Sequence, residues 1–591
     1  MLIKFSIKLI LLSTILQKIK WPSWSQWRQL LKVLNPKEKH LLFLLFALAL
    51  ISGIGWVWAD YLGKTNLIPD YGGEYSEALV GAPQFINPIL TSVNDVDRDI
   101  ATLVYSGLTK YDKDGNVAPD LAEDYQVSQD GRMYTFKLRQ NIKWHDGKPF
   151  TADDVVFTIS AITDPEYDSP LRFSWQGVVA EKQDDFTVRL KLANPYAQFL
   201  EKTTLGIIPK HIWSETPPRN IILAEANLKP VGTGPYGFIK LNKDKSGKIL
   251  SMLFAANKEY YGGAPYIGSI SLNFFASEKE AINAYKSGDT MGVAKIPSKE
   301  RKSAEGYGLT VHNLKIPKYF AVFLNPSQSK LLADKDVRQA LALATNKTEI
   351  IEKVFSGNAL PADSPIAPWS FAYNQEAKKY EFDLEKAKEM LEKSGWQDKN
   401  GDGAREKILS GDKEPINLEI LLATSNEDLP DLMQMGELIK EQWGKIGVKV
   451  TLQQYEVEEL KQKVIKSRKY DALIFGEVLS QSPDPYVFWH SSQKKDPGLN
   501  LAAYENKETD KLLEDIRTTS DLEKQKQYLY KFQELISEDA PAIFISFPYY
   551  LYGTSKKVRN IETSVISMPA KRFTGIEKWY IESKRVEKIN Q

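Results

Sequence analysis

Three stretches of this chain combine residue types that could hold a ligand or a metal. Gly232-Thr233-Gly234-Pro235-Tyr236-Gly237 spells the GxGxxG of a dinucleotide loop, whose glycines let backbone and a helix N-terminus approach pyrophosphate. Pro230 precedes it, Pro235 interrupts it, and Phe238-Ile239-Lys240 continues in strand-forming residues. The sequence therefore predicts a lobe-crossing turn at Gly232, Gly234, Pro235 and Tyr236 rather than a nucleotide site. Asp398-Lys399-Asn400-Gly401-Asp402-Gly403 begins like a calcium loop, which sets oxygen ligands around a hard cation. Its twelfth position, where a bidentate Glu should close the shell, is Leu409; a polar turn is expected, with calcium as the alternative. The third stretch runs from Tyr470 to His490. A buried-strand pattern, Ala472-Leu473-Ile474-Phe475, leads into a proline-containing loop with Glu477, Ser480, Gln481, Asp484, Tyr486 and Trp489. Such a loop offers carboxylates, hydrogen-bonding groups and rings to a ligand, while Tyr486 and Trp489 equally suit packing of a core.

Signatures of catalysis are missing from the sequence. The five histidines, at 40, 145, 211, 312 and 490, are scattered singly without an HExxH, and neither a GxSxG elbow nor a P-loop occurs. With no cysteine the chain has no disulfide, thiol nucleophile or Cys-ligated metal. Asn346-Lys347-Thr348 fits a glycosylation sequon, but its place at a helix start predicts a cap. Of the formal net charge of +1, residues 1–60 supply eight Lys/Arg against Glu38 and Asp60, leaving about −5 on the rest. A mildly acidic body argues against nucleic acid as a partner. The 11% aromatic content suits either large cores or an aromatic-lined cleft.

The elements that must position these groups follow from periodicity. At 591 residues the chain is too long for one core and should divide into three or four units. Tyr125–Val127 and Met133–Leu138 are β-prone runs joined by Ser128-Gln129-Asp130-Gly131, a turn suited to a hairpin. In the second run Tyr134, Phe136 and Leu138 alternate with Thr135, Lys137 and Arg139, giving one apolar face. Thr151 followed by Asp153 and Asp154 predicts a capped helix beginning near Val155. Beyond Asp336 helical stripes recur at Leu384–Lys393, Leu432–Trp443 and Ser520–Ile536, with a strand at Val448–Leu452; such alternation predicts an α/β lobe.

Leu41 to Trp58 is an uncharged run of 18 residues, at the short end of a membrane span. Lys32, Lys37, Lys39 and His40 precede it and Asp60 follows, so the basic side should stay cytoplasmic. Ahead of it Trp21, Trp24, Trp27, Leu30, Leu31 and Leu34 suit a helix lying in the interface. An uncleaved anchor is expected. A cleavable signal peptide is the alternative, disfavoured by the long leader and by Val57 near the would-be cleavage site.

The order of these motifs resembles the bacterial extracellular solute-binding proteins of family five, which feed peptides, nickel and other solutes to ABC importers. The similarity is densest between Leu103 and Ile159: Gly107-Leu108, Gly115, Pro119-Asp120-Leu121-Ala122-Glu123, Tyr134-Thr135-Phe136-Lys137-Leu138-Arg139, Trp144, Asp146-Gly147, and Thr151-Ala152. Ile86-Asn87-Pro88, Pro230 to Tyr236, Asn257 to Tyr261, Asp336 to Ala340, Ala387 to Leu391 and Pro483-Asp484-Pro485 follow in the family's order, so the likeness covers residues 72 to 580.

The resemblance implies a mixed α/β, two-lobed periplasmic-binding-protein-like fold behind one transmembrane helix. Its segments would be 1–40 basic and interfacial, 41–58 anchor, 59–72 linker, and 73–105 with 230–325 and 546–591 as lobe I. Residues 106–229 would form an inserted domain and 326–545 lobe II. The function implied is that of a membrane-anchored receptor outside the cytoplasm, monomeric and without cofactor or catalytic residues. It would bind short peptides between its lobes and hand them to an ABC permease by hinge closure. A surface hydrolase, a receptor for another solute, and a scaffold that keeps the fold without transport are the alternatives. Candidate ligand contacts are Asn87, Glu477, Ser480, Gln481, Asp484, Tyr486 and Trp489. Peptide-binding relatives carry an aspartate in this loop that pairs with the ligand's ammonium group. Here the corresponding positions are Ser480 and Gln481, so Glu477 or Asp484 would supply the charge from a displaced position. Otherwise Glu477 faces solvent and the ligand has no free amine.

Overall fold

In the computed structural model, which describes residues 23–91, 94–409, 411, 413–426, 429–519 and 521–588, the N-terminal apolar run is helical beyond both predicted ends. Helix α1 (Trp24–Val33) starts at Trp24; Trp21 and the side chains of Trp27, Leu30 and Leu31 lie outside the described residues. Asn35 caps the next helix, α2 (Pro36–Lys64), through a reciprocal pair of bonds. Its Oδ1 accepts the Glu38 N–H at 3.0 Å, and Glu38 Oε2 accepts the Asn35 N–H at 2.9 Å. At 29 residues α2 contains the predicted 41–58 span with turns to spare. Among the described residues it is the one helix long and apolar enough to cross a membrane. The predicted 59–72 linker is corrected: α2 continues to Lys64, and β1 (Thr65–Pro69) pairs antiparallel with the C-terminal strand Ser583–Glu587. Residues 23–69 and 583–588 thus belong to a unit of their own.

The second unit, Asp70–Glu582, contains both lobes. It opens with β2 (Glu74–Val80) and α3 (Asp95–Val104), the latter capped by Asn94, whose Oδ1 accepts the Val96 N–H at 3.0 Å. The inserted segment forms the predicted hairpin, β3 (Ala122–Val127) and β4 (Met133–Leu138), around Gly131 at φ 65°. Tyr134, Phe136 and Leu138 are buried on one face, as their alternation requires. Helix α4 (Ala152–Thr163) starts in the predicted Thr151 capping box with Asp154. Strands β5 (Val178–Asp184) and β6 (Thr187–Leu192) complete an antiparallel sheet in the order β3-β4-β6-β5. Its core is continuous with that of lobe I: Phe136, Ile159 and Trp213 share a cluster with Tyr75, Leu79 and Trp579.

Lobe I continues with β7 (Tyr236–Lys243), β8 (Ile249–Ala256), β9 (Ser269–Phe275), β10 (Gly292–Val293) and β11 (Leu309–Lys315). Lobe II contributes β12 (Lys318–Leu324), β13 (Glu419–Ser425), α5 (Pro430–Gly444), β14 (Lys449–Tyr455), β15 (Ala472–Val478), α6 (Lys507–Thr518) and α7 (Leu522–Asp539). The helix Leu384–Lys393 and α5 stand where their stripes place them, while Ser520 lies outside the described residues. One strand, β16 (Ala542–Ser555), serves both lobes. Its first part pairs with β12 through Ala542↔Phe323 and Ile543↔Val322; its second pairs with β11 from Tyr549↔Lys315 to Ser555↔Leu309. The sheet order is β14-β13-β15-β12-β16-β10-β2-β9-β8-β7, with β11 and the short strand Ala359–Pro361 also on β16.

Two boundaries move accordingly. Strand β12 lies within the predicted lobe I segment 230–325 but pairs with β15 and packs in the lobe II cores, so lobe I ends near Pro317. The predicted 546–591 segment loses its last strand to the terminal unit, and β16 begins at Ala542.

Gly232, Gly234, Pro235 and Tyr236 are not the crossing between lobes. They carry the chain out of the insert into β7, packed against the end of α3: Gly234 N–H donates to Val104 O at 2.8 Å. A Cβ on Gly232 would sit 1.9 Å from that same carbonyl, so the close approach admits only glycine. The crossings are Ile316-Pro317 and Phe547-Pro548, where the chain passes between the two halves of the sheet.

The C-terminal turn Pro569–Phe573 is tied to lobe I by a buried ion cluster. Arg572 donates to Glu77 Oε1 from Nη2 at 2.6 Å and to Asp99 from Nη1 and Nη2, both at 2.7 Å. Tyr75 and Tyr552 donate to Glu77 Oε2 at 2.5 and 2.7 Å. Burial lifts Asp99 to about 6 although Arg572 opposes it. Two acids against one guanidinium survive here because the phenols satisfy the second Glu77 oxygen. Arg572→Met strands both acids, and equilibrium urea unfolding of the detergent-solubilised chain should register a loss of about 3–5 kcal/mol. A loss under about 1 kcal/mol, the scale of an exposed pair, would refute this account.

Candidate functional site

The predicted ligand loop leaves the sheet at the hinge. Strand β15 pairs with β12 through Lys318↔Val478, and Leu479 N–H then donates to Pro317 O at 2.7 Å. The loop from Leu479 to Pro485 and the turn Tyr486–Trp489 form one wall of a pocket, and Pro365–Ser370 forms the other. Ile366, Trp369, Phe488 and Trp489 make its lining largely apolar; Ser480, Gln481 and Asp484 supply polar groups.

The structure separates the sequence candidates. Glu477 is only 4% exposed and does not line the pocket. Its Oε2 accepts the Tyr319 hydroxyl inside lobe II, and burial holds the carboxyl well above its usual range. It neither faces solvent nor stands free as a displaced clamp, because β15 alternation turns it to the same face as Leu473. Asp484 lines the pocket but is already paired: Arg517 donates to Oδ1 at 2.9 Å from Nε and to Oδ2 at 2.8 Å from Nη2, and Tyr196 donates to Oδ2 at 3.3 Å. Tyr486 is layered between His490, at 4.1 Å, and the Arg517 guanidinium, at 3.9 Å. Trp489 is 1% exposed, packed on Phe544 and Tyr504 with one edge on the pocket. The Ser480 hydroxyl donates to Ser482 O at 2.5 Å. Gln481 lies against Gly115 of the insert, where φ is 87° and a Cβ would be 2.6 Å from Gln481 Nε2. Asn87 is wholly buried in lobe I, its Oδ1 accepting the Ile89 N–H at 3.2 Å, and it is not at the pocket.

Several residues at the site carry no sequence signal. Tyr196, Gln198 and Glu201 come from the insert, and Arg517 ends α6. Together they join the insert to lobe II. Ala197 N–H donates to Arg517 O at 3.0 Å, Gln198 Nε2 donates to Pro483 O at 3.3 Å, and the Ser482 N–H donates to Glu201. Burial raises the Glu201 carboxyl against that Ser482 bond and pushes Lys202 down to about 8. On the other side of the hinge Lys299 Nζ of lobe I donates to Gln434 Oε1 of lobe II at 3.3 Å, and Arg301 donates to Asn358. The jaws therefore meet on both flanks of β12 and β16.

Elsewhere the sequence motifs take up local structure. Asp398 accepts the Gly401 and Gly403 N–H groups at 2.8 and 3.0 Å, a self-satisfied polar turn. Among the described residues no three His, Asp or Glu side chains gather as a metal-holding group. Asn346 caps its helix, Oδ1 accepting the Glu349 N–H at 3.0 Å.

The family described as Bacterial extracellular solute-binding proteins, family 5 Middle, matches residues 116–498. The oligopeptide-binding protein AppA of Bacillus subtilis (strain 168) is 32% identical over 529 residues, 87% of this chain and 92% of that protein. The solved structure of AppA from Bacillus subtilis in complex with a nonapeptide superposes with a TM-score of 0.66 at 30% identity, over 87% of this chain and 100% of that one. NikZ from Campylobacter jejuni in complex with Ni(L-His) gives a TM-score of 0.68 at 26% identity, over 86% and 99%.

The buried Glu477 generates a pH signature. Its folded pKa lies above the ordinary glutamate value, so between the two the folded chain binds more protons than the unfolded one. Its stabilising contribution is full below the ordinary value and is lost as pH rises through the folded one. In Glu477→Gln this part of the slope should vanish, leaving stability at neutral pH equal to or above that of the parent. Urea midpoints of both proteins between pH 4.5 and 8 check it; parallel curves would show that Glu477 titrates normally.

Proposed function

Because this chain belongs to family 5 of the bacterial extracellular solute-binding proteins, we propose that it captures peptides between its lobes and passes them to the permease of an ABC importer. The observation that carries the reading is the hinge: among the described residues two chain passages, Ile316-Pro317 and Phe547-Pro548, join the sheet halves, and a pocket opens beside them. Rotation about those passages closes the jaws, and a ligand bridging both stabilises the closed state. Peptide as the solute is supported by the oligopeptide-binding relative and by the nonapeptide complex of the similar structure. Helix α2 would serve as a single uncleaved anchor, with the body outside the cytoplasm and the basic residues Lys32, Lys37 and Lys39 inside.

Two experiments test these statements. A bound peptide at about 100 times its Kd should add roughly 2.7 kcal/mol to the stability of the detergent-solubilised chain. Small-angle scattering should show the bound form to be more compact, and the peptide should be recovered unchanged. Conversion of the peptide to products would favour a hydrolase instead. For the anchor, mass spectrometry of the membrane-extracted protein should find residues 41–58 retained, with the body degraded by protease added from outside. A mature chain beginning near Asp60 would replace the anchor by a signal peptide.

A further inference from the structure

The charge inventory of the pocket specifies which part of a ligand it accepts. Its rings and aliphatic groups, Ile366, Trp369, Phe488 and Trp489, suit an apolar side chain. Asp484 is the only acid among its lining residues, and both of its oxygens are engaged by Arg517 between 2.8 and 3.2 Å. Drawing that carboxylate away would leave the Arg517 guanidinium, half-buried against Tyr486, without its partner. Glu477, the nearest other acid on the same strand and loop, is buried in the core and does not line the pocket; its Oε2 accepts the Tyr319 hydroxyl and its Oε1 has no partner among the described residues. Among the lining residues an ammonium group finds no unpaired counter-ion. What the pocket does offer is Gln481: its Oε1 is buried and has no partner among the described residues, an acceptor awaiting a donor.

We infer that this pocket receives an uncharged, apolar residue of the ligand whose amide N–H donates to Gln481, so that the preferred peptides lack a free ammonium group at that end. The inference rests on the peptide reading above and adds the chemical class. An amide N–H costs little to desolvate once Gln481 Oε1 accepts it, whereas an unpaired ammonium loses its hydration without recompense. A terminal acyl group, or an internal residue of a longer chain, fulfils both conditions.

The test uses the full chain in detergent and matched pools of short peptides beginning with Phe or Leu, in three forms: free amine, N-acetylated and desamino. Titration calorimetry should give the acetylated pool at least a tenfold lower Kd than the free-amine pool, about 1.4 kcal/mol. The desamino pool should lie nearer the acetylated one, because it too carries no charge. Gln481→Leu should weaken the acetylated pool about tenfold and leave the desamino pool, which lacks the donor, within about twofold. Tighter binding of the free amines, or a Gln481→Leu variant that treats all three pools alike, overturns the inference while the peptide reading stands. Absence of binding by every pool overturns both.

Discussion

The molecule depends on one strand doing service in two lobes. Ala542–Ser555 pairs with β12 on one side of Phe547-Pro548 and with β11 on the other, so neither lobe's sheet is complete without it. Backbone hydrogen bonds fix the register on both sides, because a slip of one residue would turn every buried side chain outward. Proline at 317 and at 548 removes a donor from the ladder where the sheet passes between lobes. The hinge is therefore a place where a continuous strand changes partners, with Ala359–Pro361 paired to Ser546–Pro548 between β12 and β11, and the pocket lies beside it because Leu479 is anchored to Pro317.

The insert behaves as part of lobe I. Its sheet shares a hydrophobic core with β2 and the C-terminal turn, and its exit loop is pressed on α3 at a distance that only Gly232 allows. A segment bound that way moves with its lobe. Tyr196, Gln198 and Glu201 then extend lobe I over the pocket loop and meet Ser482, Pro483 and Asp484 at closure. The insert supplies reach that the lobe I sheet lacks.

Burial governs the charges on both sides of the hinge. The Arg572 cluster in lobe I gathers two acids around one guanidinium, with phenols completing the set, and it fastens the Pro569–Phe573 turn to β2 and α3. The Asp484–Arg517 pair in lobe II holds the pocket loop against α6 and stacks on Tyr486. In each case the pairing fixes geometry and consumes the charge that a ligand would otherwise meet. The pocket that remains is apolar with one unmatched amide oxygen.

How much of this was legible depended on the range of the interaction. The family order of motifs, the Asp130-Gly131 hairpin, the Thr151 and Asn346 caps and the stripe of Leu384–Lys393 are set by neighbours within a few residues, and the sequence alone determined them. The family resemblance singled out the loop after β15, and a pocket opens beside that loop. Sequence alone misjudged Gly232 to Tyr236 as the lobe crossing, because the contact that explains those glycines is with Val104, far back in the chain. It likewise left Glu477 between clamp and solvent. Its fate was set by Tyr319, 158 residues earlier, and that of Asp484 by Arg517, 33 residues later, and by Tyr196, 288 residues earlier. Periodicity reports which face of an element is apolar. Whether a carboxylate on that element is free, paired or protonated depends on which distant side chain the fold brings within hydrogen-bonding distance, and only the tertiary structure decided that.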